Sequence, residues 1–244
     1  MSFSVIIPAR YASTRLSAKL LQDIHGKPLL QYSYENAIKS GADSVIIATD
    51  DKRIEAVSKG FGAITCMTSN EHTSGTARIA EALTKMDIDD EQIIVNLQGD
   101  EPMLGGKVIK QVAKNLAATN MQVATLCENV ADIEQYLDPN CVKVVFDKFG
   151  KALYFSRSPI PAFRNQADFD KQICFKHIGI YAYRAGFIKQ HLSANSSHYE
   201  QAEKLEQLTV LSQGFDIFVE KACEATGFGV DTQADLKKVK ELLQ

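Results

Sequence analysis

Short runs of β-branched and other apolar residues recur along the first half of the chain, and longer segments with apolar positions every three or four residues separate them. The runs predict strands at 3–7, 44–48, 63–67, 92–97 and 122–126, and the segments between them predict helical crossovers. That alternation is the pattern of a parallel sheet covered by helices, an α/β fold. Between the first two strands, Gly26-Lys27-Pro28 opens a helix with Leu29, Tyr32, Ser33 and Ala37 on one face, and Gly41 ends it.

After about residue 125 the texture changes. Strands predicted at 142–146, 152–156 and 173–183 are joined by turns instead of helices, which predicts an antiparallel insertion at about 140–185 within a single domain spanning 1–244. The polar stretch 163–171 has no periodicity and is expected to be a mobile connection. Helices return at 184–191, 199–212 and 232–243, around one more strand at 215–219.

Composition narrows the function classes. A chain of 244 residues that is 45% hydrophobic buries a full core, and a net charge of −3 gives no general attraction to nucleic acid or to an anionic membrane. The five cysteines never come closer than fourteen residues, so they form no CxxC metal or redox pair. The N-terminus runs directly into a strand, and no apolar run approaches the length of a membrane span, which points to a soluble, cytoplasmic protein.

Candidate chemistry clusters where predicted strands end. After the first strand, Pro8-Ala9-Arg10-Tyr11-Ala12-Ser13-Thr14-Arg15-Leu16-Ser17-Ala18-Lys19 places three cations and two hydroxyls at a carboxyl strand end, where open α/β sheets bind ligands. Arg10, Arg15 and Lys19 suit a triphosphate, and they equally suit a solvated basic loop. The fourth predicted strand ends in Gln98-Gly99-Asp100-Glu101-Pro102, where Asp100 could hold Mg²⁺ or merely cap the following helix. In Gly227-Phe228-Gly229-Val230-Asp231-Thr232, Asp231 reads as the N-cap of the last helix, a role compatible with ligating a metal. Ser74 and Gly75, at the start of another predicted helix, offer free N–H groups to a ring edge or phosphate, or an ordinary cap. Thr49-Asp50-Asp51 reads as a helix cap. No GxGxxG, Walker loop, GxSxG or DxD after a central strand is present, so dinucleotide-binding, P-loop, serine-hydrolase and metal-dependent glycosyltransferase readings lack support.

Taken together, the segments 6–16, 96–102 and 226–232 resemble the cytidylyltransferases that activate acidic sugars, most closely the 3-deoxy-manno-octulosonate (Kdo) cytidylyltransferase family. Further matching stretches are His72-Thr73-Ser74-Gly75-Thr76, Ala152-Leu153-Tyr154-Phe155-Ser156-Arg157, His177-Ile178-Gly179-Ile180-Tyr181 and Leu205-Glu206-Gln207-Leu208, in the family's order over nearly the whole chain. The resemblance implies a three-layer α/β/α Rossmann-like nucleotidyltransferase fold with a mixed, mostly parallel sheet. It implies that Pro8, Ala9, Arg10, Ser13, Arg15, Lys19, Ser74, Gly75 and Gln98 bind CTP, with Arg10, Arg15, Lys19 and Asp100 serving catalysis. It further implies that Gln98, Arg157, His177, Tyr181 and Glu206 line the pocket for an acidic eight-carbon sugar, and that Asp100 and Asp231 hold Mg²⁺. The expected assembly is a homodimer joined partly through 153–161, and the expected product a CMP-sugar for lipopolysaccharide biosynthesis.

Three departures from the family pattern stand out. Ser17-Ala18 replaces Pro-Gly before Lys19, Ala77 replaces a Glu, and Lys176 replaces an Arg before His177. Changes beside both substrates leave open an 8-amino-8-deoxy Kdo as the sugar. The alternatives are a sialic or pseudaminic acid type substrate, or a non-catalytic nucleotide-binding module, which would have little use for two separated metal carboxylates.

Overall fold

The structure, a computed structural model, describes residues 1–12, 16–72, 74–191 and 196–243. Its frame is a sheet of β1 (Phe3–Ala9), β4 (Ser44–Thr49), β5 (Ile64–Met67), β6 (Ile93–Asn96), β7 (Val123–Asn129), β10 (Phe175–Arg184) and β11 (Ile217–Lys221). They lie in the order β11-β7-β10-β6-β1-β4-β5. β1 pairs in parallel with both β4 and β6, so the chain reverses its direction of travel across the sheet beside β1. Such a switch point leaves a crevice at the carboxyl strand ends, here at Pro8–Ala9 and at Asn96 and the turn after it.

Every residue of β1 is buried, because helices cover both faces of the sheet. One face packs Val5, Ile7 and Val95 against α1 (Leu29–Lys39), α4 (Gly106–Ala117) and α9 (Gln233–Leu242). The other packs Ile6, Ile46 and Ile94 against α3 (Gly75–Lys85), α6 (Ala185–His191) and α8 (Gln207–Ser212). α2 (Lys52–Gly60) joins β4 to β5, with Asp51 capping it by accepting from the Arg53 amide at 2.8 Å. Among the described residues, no helix is long and apolar enough to cross a membrane.

The antiparallel segment is present but is not a separate lobe throughout. β8 (Lys143–Phe146) and β9 (Ala152–Ser156) form a hairpin that follows α5 (Ile133–Leu137) and pairs with the start of β10. β10 itself runs antiparallel between β6 and β7 in the middle of the main sheet. The hairpin is tied down by Lys143, which is fully buried and donates to the carbonyls of Asp138, Cys141 and Arg157 at 2.8, 2.5 and 2.7 Å.

Three local expectations need correction. The helix expected over 199–212 is two helices, α7 (His198–Glu203) and α8, because Lys204 turns left-handed at φ 54° and ends the first. The stretch 163–171 is anchored, since Phe163 and Phe169 pack on Tyr136 beside Cys174 and Val130. Ahead of α1, the chain makes a short hairpin of β2 (Asp23–Ile24) and β3 (Lys27–Pro28), with Gly26 at φ 83°, so Pro28 is the N-cap instead of part of the first turn.

Candidate functional site

Three segments converge at the switch point. The first is the turn after β6, held from below by α1: Ser33 donates to the Gly99 carbonyl at 3.0 Å and Asn36 donates to the Pro102 carbonyl at 2.8 Å. Gly99 has no room for a side chain, since a Cβ there would lie 3.0 Å from Leu30 and 3.2 Å from Leu20. The second is the arm 227–231, which crosses this turn so closely that a Cβ on Gly229 would meet the Glu101 carboxyl at 2.8 Å, and one on Gly227 the Met103 Cβ at 2.5 Å. The Val230 amide donates to the Asp100 carbonyl at 2.9 Å and fixes the crossing.

The third segment is the 3-10 turn Lys19–Leu21, entered through Ala18. Leu20 is buried against the Gly99 turn, which leaves the neighbouring Lys19 side chain over the carboxylates. Lys19 Nζ donates to Asp100 and also to Asp231 Oδ1 at 3.0 Å. Burial pulls the ammonium down, but the charges and hydrogen bonds of the two aspartates outweigh it and hold Lys19 above the usual lysine value.

Neither aspartate is the helix cap that its local sequence suggests. The N-cap of α9 is Thr232, in a capping box with Asp235, and the N-cap of α4 is Gly105. Both carboxylates are thereby released to face a cation. Glu101, beside them, is raised to about 8 by desolvation first and by the charges of Asp100 and Asp231 second.

Two cavities border Gln98, in the same turn as Asp100, and the start of α3. One of about 240 Å³ is lined by Pro8, Ala9, Arg10, His72, Ser74, Gly75, Arg78, Gln98 and Glu206. Here Ser74 caps α3 by accepting from the Ala77 amide at 3.1 Å, and Gly75 lets that helix end approach Pro8, where a Cβ would lie 3.2 Å away. His72 contacts Glu81 at 2.5 Å, which fixes the loop leading into α3.

The second cavity, of about 280 Å³, shares Gly75, Gln98 and Glu206 with the first and adds Asn96, His177, Tyr181, Tyr183 and Lys204. Its floor is shaped by a bulge in β10, where the register with β7 shifts between Ile178 and Tyr181. Thr125 pins that bulge, its hydroxyl lying 2.7 Å from the Ile180 carbonyl and 3.0 Å from His177 Nε2. With the Thr125 proton given to the carbonyl, Nε2–H donates to Thr125 and Nδ1 is left as an acceptor. Burial lowers the His177 imidazole to about 3, so it is neutral at physiological pH. Tyr181 stacks on Tyr183 with centroids 5.6 Å apart, and its buried hydroxyl has no partner among the described residues. Glu206 accepts from Thr76 Oγ1 at 2.9 Å; desolvation and the nearby Glu200 raise its carboxyl against that bond.

The structure therefore unites Pro8, Ala9, Arg10, Ser74, Gly75, Gln98, His177, Tyr181 and Glu206 around two neighbouring cavities that share three lining residues, with Lys19, Asp100 and Asp231 as a separate ionic cluster. It does not bring Arg157 there: that guanidinium donates to the Glu203 carbonyl at 2.6 Å and the Pro139 carbonyl at 3.0 Å. Ser13 and Arg15 lie outside the described residues. Asn96 and Arg78 were missed, although each left a signal. Asn96 is a lone amide closing an apolar strand, 3% exposed and accepting from Gln98 at 3.2 Å. Arg78 is a charged residue on a buried helix face, paired with Asp50 at 2.7 Å.

Comparison with known proteins agrees over the full length. The family described as Cytidylyltransferase matches residues 4–220. The chain is 68% identical to the 3-deoxy-manno-octulosonate cytidylyltransferase of Ruthia magnifica subsp. Calyptogena magnifica, covering 100% of both chains. It is 51% identical to the protein of that name from Haemophilus influenzae (strain ATCC 51907 / DSM 11121 / KW20 / Rd), over 100% of this chain and 99% of the relative. Among solved structures, a CMP:2-keto-3-deoxy-manno-octonic acid synthetase complexed with CTP matches at TM-score 0.92 and 42% identity, covering 100% of this chain and 98% of that one. The fold alone is shared with 4-diphosphocytidyl-2C-methyl-D-erythritol synthase, at TM-score 0.67 and 12% identity over 100% of this chain and 99% of that one.

Two outcomes follow from the local geometry. Ala18 holds φ 48° and ψ 37°, a left-handed conformation that costs an L side chain ~1–2 kcal/mol. Ala18→Gly relieves that strain against ~0.5–1 kcal/mol of added unfolded-state freedom, so urea denaturation is expected to show a gain of about 0.5–1 kcal/mol; a loss of stability would contradict it. For His177, the unfolded chain binds the proton near pH 6.5 and the folded chain only near 3. The stability held by the neutral ring is thus complete above about pH 6.5 and is lost as pH falls towards 3, by on the order of 5 kcal/mol. His177→Gln is expected to flatten the stability profile in that window, and an unchanged slope would count against the buried neutral ring.

Proposed function

The chain belongs to the 3-deoxy-manno-octulosonate cytidylyltransferase family, and on that premise we propose that it transfers CMP from CTP to the anomeric hydroxyl of 3-deoxy-D-manno-octulosonate, releasing pyrophosphate. The observation that carries this is the wall shared by the two cavities. Gly75, Gln98 and Glu206 border both, so a nucleotide in one and a sugar in the other would meet without either leaving its seat.

Each part of the reaction has residues suited to it. The amide groups at the start of α3, with Ser74 and Gly75, offer donors to the nucleotide, and Pro8 and Ala9 form the opposite wall. Arg10 and Lys19 supply charge for the triphosphate. In the sugar cavity, the unpartnered Tyr181 hydroxyl and neutral His177 suit a polyhydroxylated ligand, the first as donor and the second as acceptor. Lys204 lines the same cavity and would offer its ammonium to the sugar carboxylate.

The anomeric hydroxyl would attack the α-phosphorus in line with the departing pyrophosphate, a reaction governed by positioning and charge stabilisation. The residues present fit a divalent ion, since Asp100 and Asp231 already converge on one cationic nitrogen. They would hold Mg²⁺, which when bound would neutralise phosphate charge and acidify the attacking hydroxyl. We further propose a cytoplasmic homodimer serving lipopolysaccharide assembly. Its interface is supported by the exposed apolar side chains of Leu137, Leu153 and Ile173 around the β8–β9 hairpin.

The test is pyrophosphate release with CTP and Mg²⁺, run in parallel with Kdo, its 8-amino-8-deoxy analogue and sialic acid. Release with Kdo is expected, and no release with any of the three would refute the transferase reading. Asp100→Asn and Asp231→Asn are each expected to lower turnover by roughly two or more orders of magnitude while leaving the fold intact; near-normal turnover in either removes that residue from the metal pair.

A further inference from the structure

The ionic cluster raises a question that the reaction itself does not answer: what neutralises Asp100 and Asp231 before substrates arrive. Their carboxylates come from segments whose backbones are held against each other by the Val230–Asp100 hydrogen bond and by the glycine crossing, so the two acids stay neighbours. Lys19 sits between them, 13% exposed, against 27% for Asp100 and 48% for Asp231. Its ammonium therefore occupies the inner position where oxygens of both aspartates face one point, the position a shared divalent ion requires.

The backbone beneath Lys19 is held by its own hydrogen bonds, whereas the side chain is held at its ammonium by the two aspartates. The Ala18 carbonyl accepts from the Leu21 amide at 2.9 Å, the Lys19 carbonyl accepts from the Gln22 amide at 3.1 Å, and Leu20 is packed under Gly99. The flexible lysine stem above that anchor lets the ammonium leave the carboxylates by side-chain rotation alone. Leaving is costly until another anion is within reach, and a hydrated divalent ion gives up its own water reluctantly.

Resting on the assignment of Asp100 and Asp231 to the metal, we propose that Lys19 is the resident counter-ion of this pair in the nucleotide-free protein. It yields the seat to a divalent ion only when a triphosphate is present to accept its ammonium. Metal and nucleotide then bind with strong mutual dependence, and a free divalent ion alone binds weakly. The exchange improves the charge balance: the ammonium's single charge offsets one of the two carboxylates, the arriving divalent ion offsets both, and the ammonium carries its charge to the phosphates.

Mn²⁺ binding to the full-length, nucleotide-free protein, read from the loss of the free-ion electron paramagnetic resonance signal, tests this without any turnover. Lys19→Met is expected to bind Mn²⁺ on the order of tenfold or more tightly than the wild type in the absence of nucleotide. CTP is expected to strengthen Mn²⁺ binding in the wild type far more than in the variant. Lys19→Gln serves as a second variant, and the melting temperature of both is expected to fall in EDTA and recover with Mn²⁺. Equal Mn²⁺ affinity for wild type and both variants without nucleotide overturns the counter-ion role. The underlying assignment is judged separately: if Asp100→Asn and Asp231→Asn bind Mn²⁺ with CTP as well as the wild type does, the pair is not the metal site and the proposal falls with it.

Discussion

The crossing of the 227–231 arm over the turn that follows β6 is the constraint on which the site depends. Without it, Asp231 belongs to the start of a surface helix and Asp100 to a polar turn, and neither has a reason to meet Lys19. Two glycines make the approach possible because a Cβ at either would collide with Glu101 or Met103. One backbone hydrogen bond, Val230 to Asp100, then sets the register. Lys19 and Asp231, 212 residues apart in sequence, end up 3.0 Å from each other. The negative charge that this closeness concentrates is bridged by the ammonium.

The sheet contributes the second half of the site through a strand that runs against its neighbours. β10 is antiparallel to both β6 and β7, and its bulge sets His177, Tyr181 and Tyr183 along the wall of one cavity. Thr125 stabilises the bulge and selects the histidine tautomer at once, since its single proton goes to a backbone carbonyl. The reversal of strand order beside β1 opens the other cavity, between Pro8 and the start of α3. Gln98 borders both because it lies two residues beyond the end of β6, in the turn that carries Asp100.

Much of this was legible in the sequence, and the parts that were not have physical reasons. Buried parallel strands read clearly because both faces are apolar, and the segments bordering the cavity beside β1 were legible because strand ends announce themselves with Pro, Gly and acidic residues. The assignment of Asp231 as a cap failed because an Asp before Thr is locally indistinguishable from a cap. Only the capping box of Thr232 with Asp235 decides it. The place of β10 was hidden because a strand's neighbours are a tertiary property, and a turn-linked run looks the same in a side lobe as in a central sheet. Helix periodicity spanned 199–212, yet Lys204 adopts a left-handed conformation that no local residue preference signals. Arg157 shows the limit of transferring roles by motif: the residue matches, but two backbone carbonyls hold its guanidinium away from the cavities. At Ala18 the backbone takes the left-handed path that a glycine would favour, at a cost in strain that a glycine would avoid.

The central claim is that one inner seat between Asp100 and Asp231 is filled by Lys19 in the free protein and by a divalent ion in the loaded one. A crystal structure of the protein with CTP and Mn²⁺, with data collected at the manganese absorption edge, tests it most directly. The account predicts an anomalous peak between the two carboxylates, with Lys19 Nζ moved onto a phosphate oxygen. An anomalous peak elsewhere, with Lys19 still bridging Asp100 and Asp231, would contradict it.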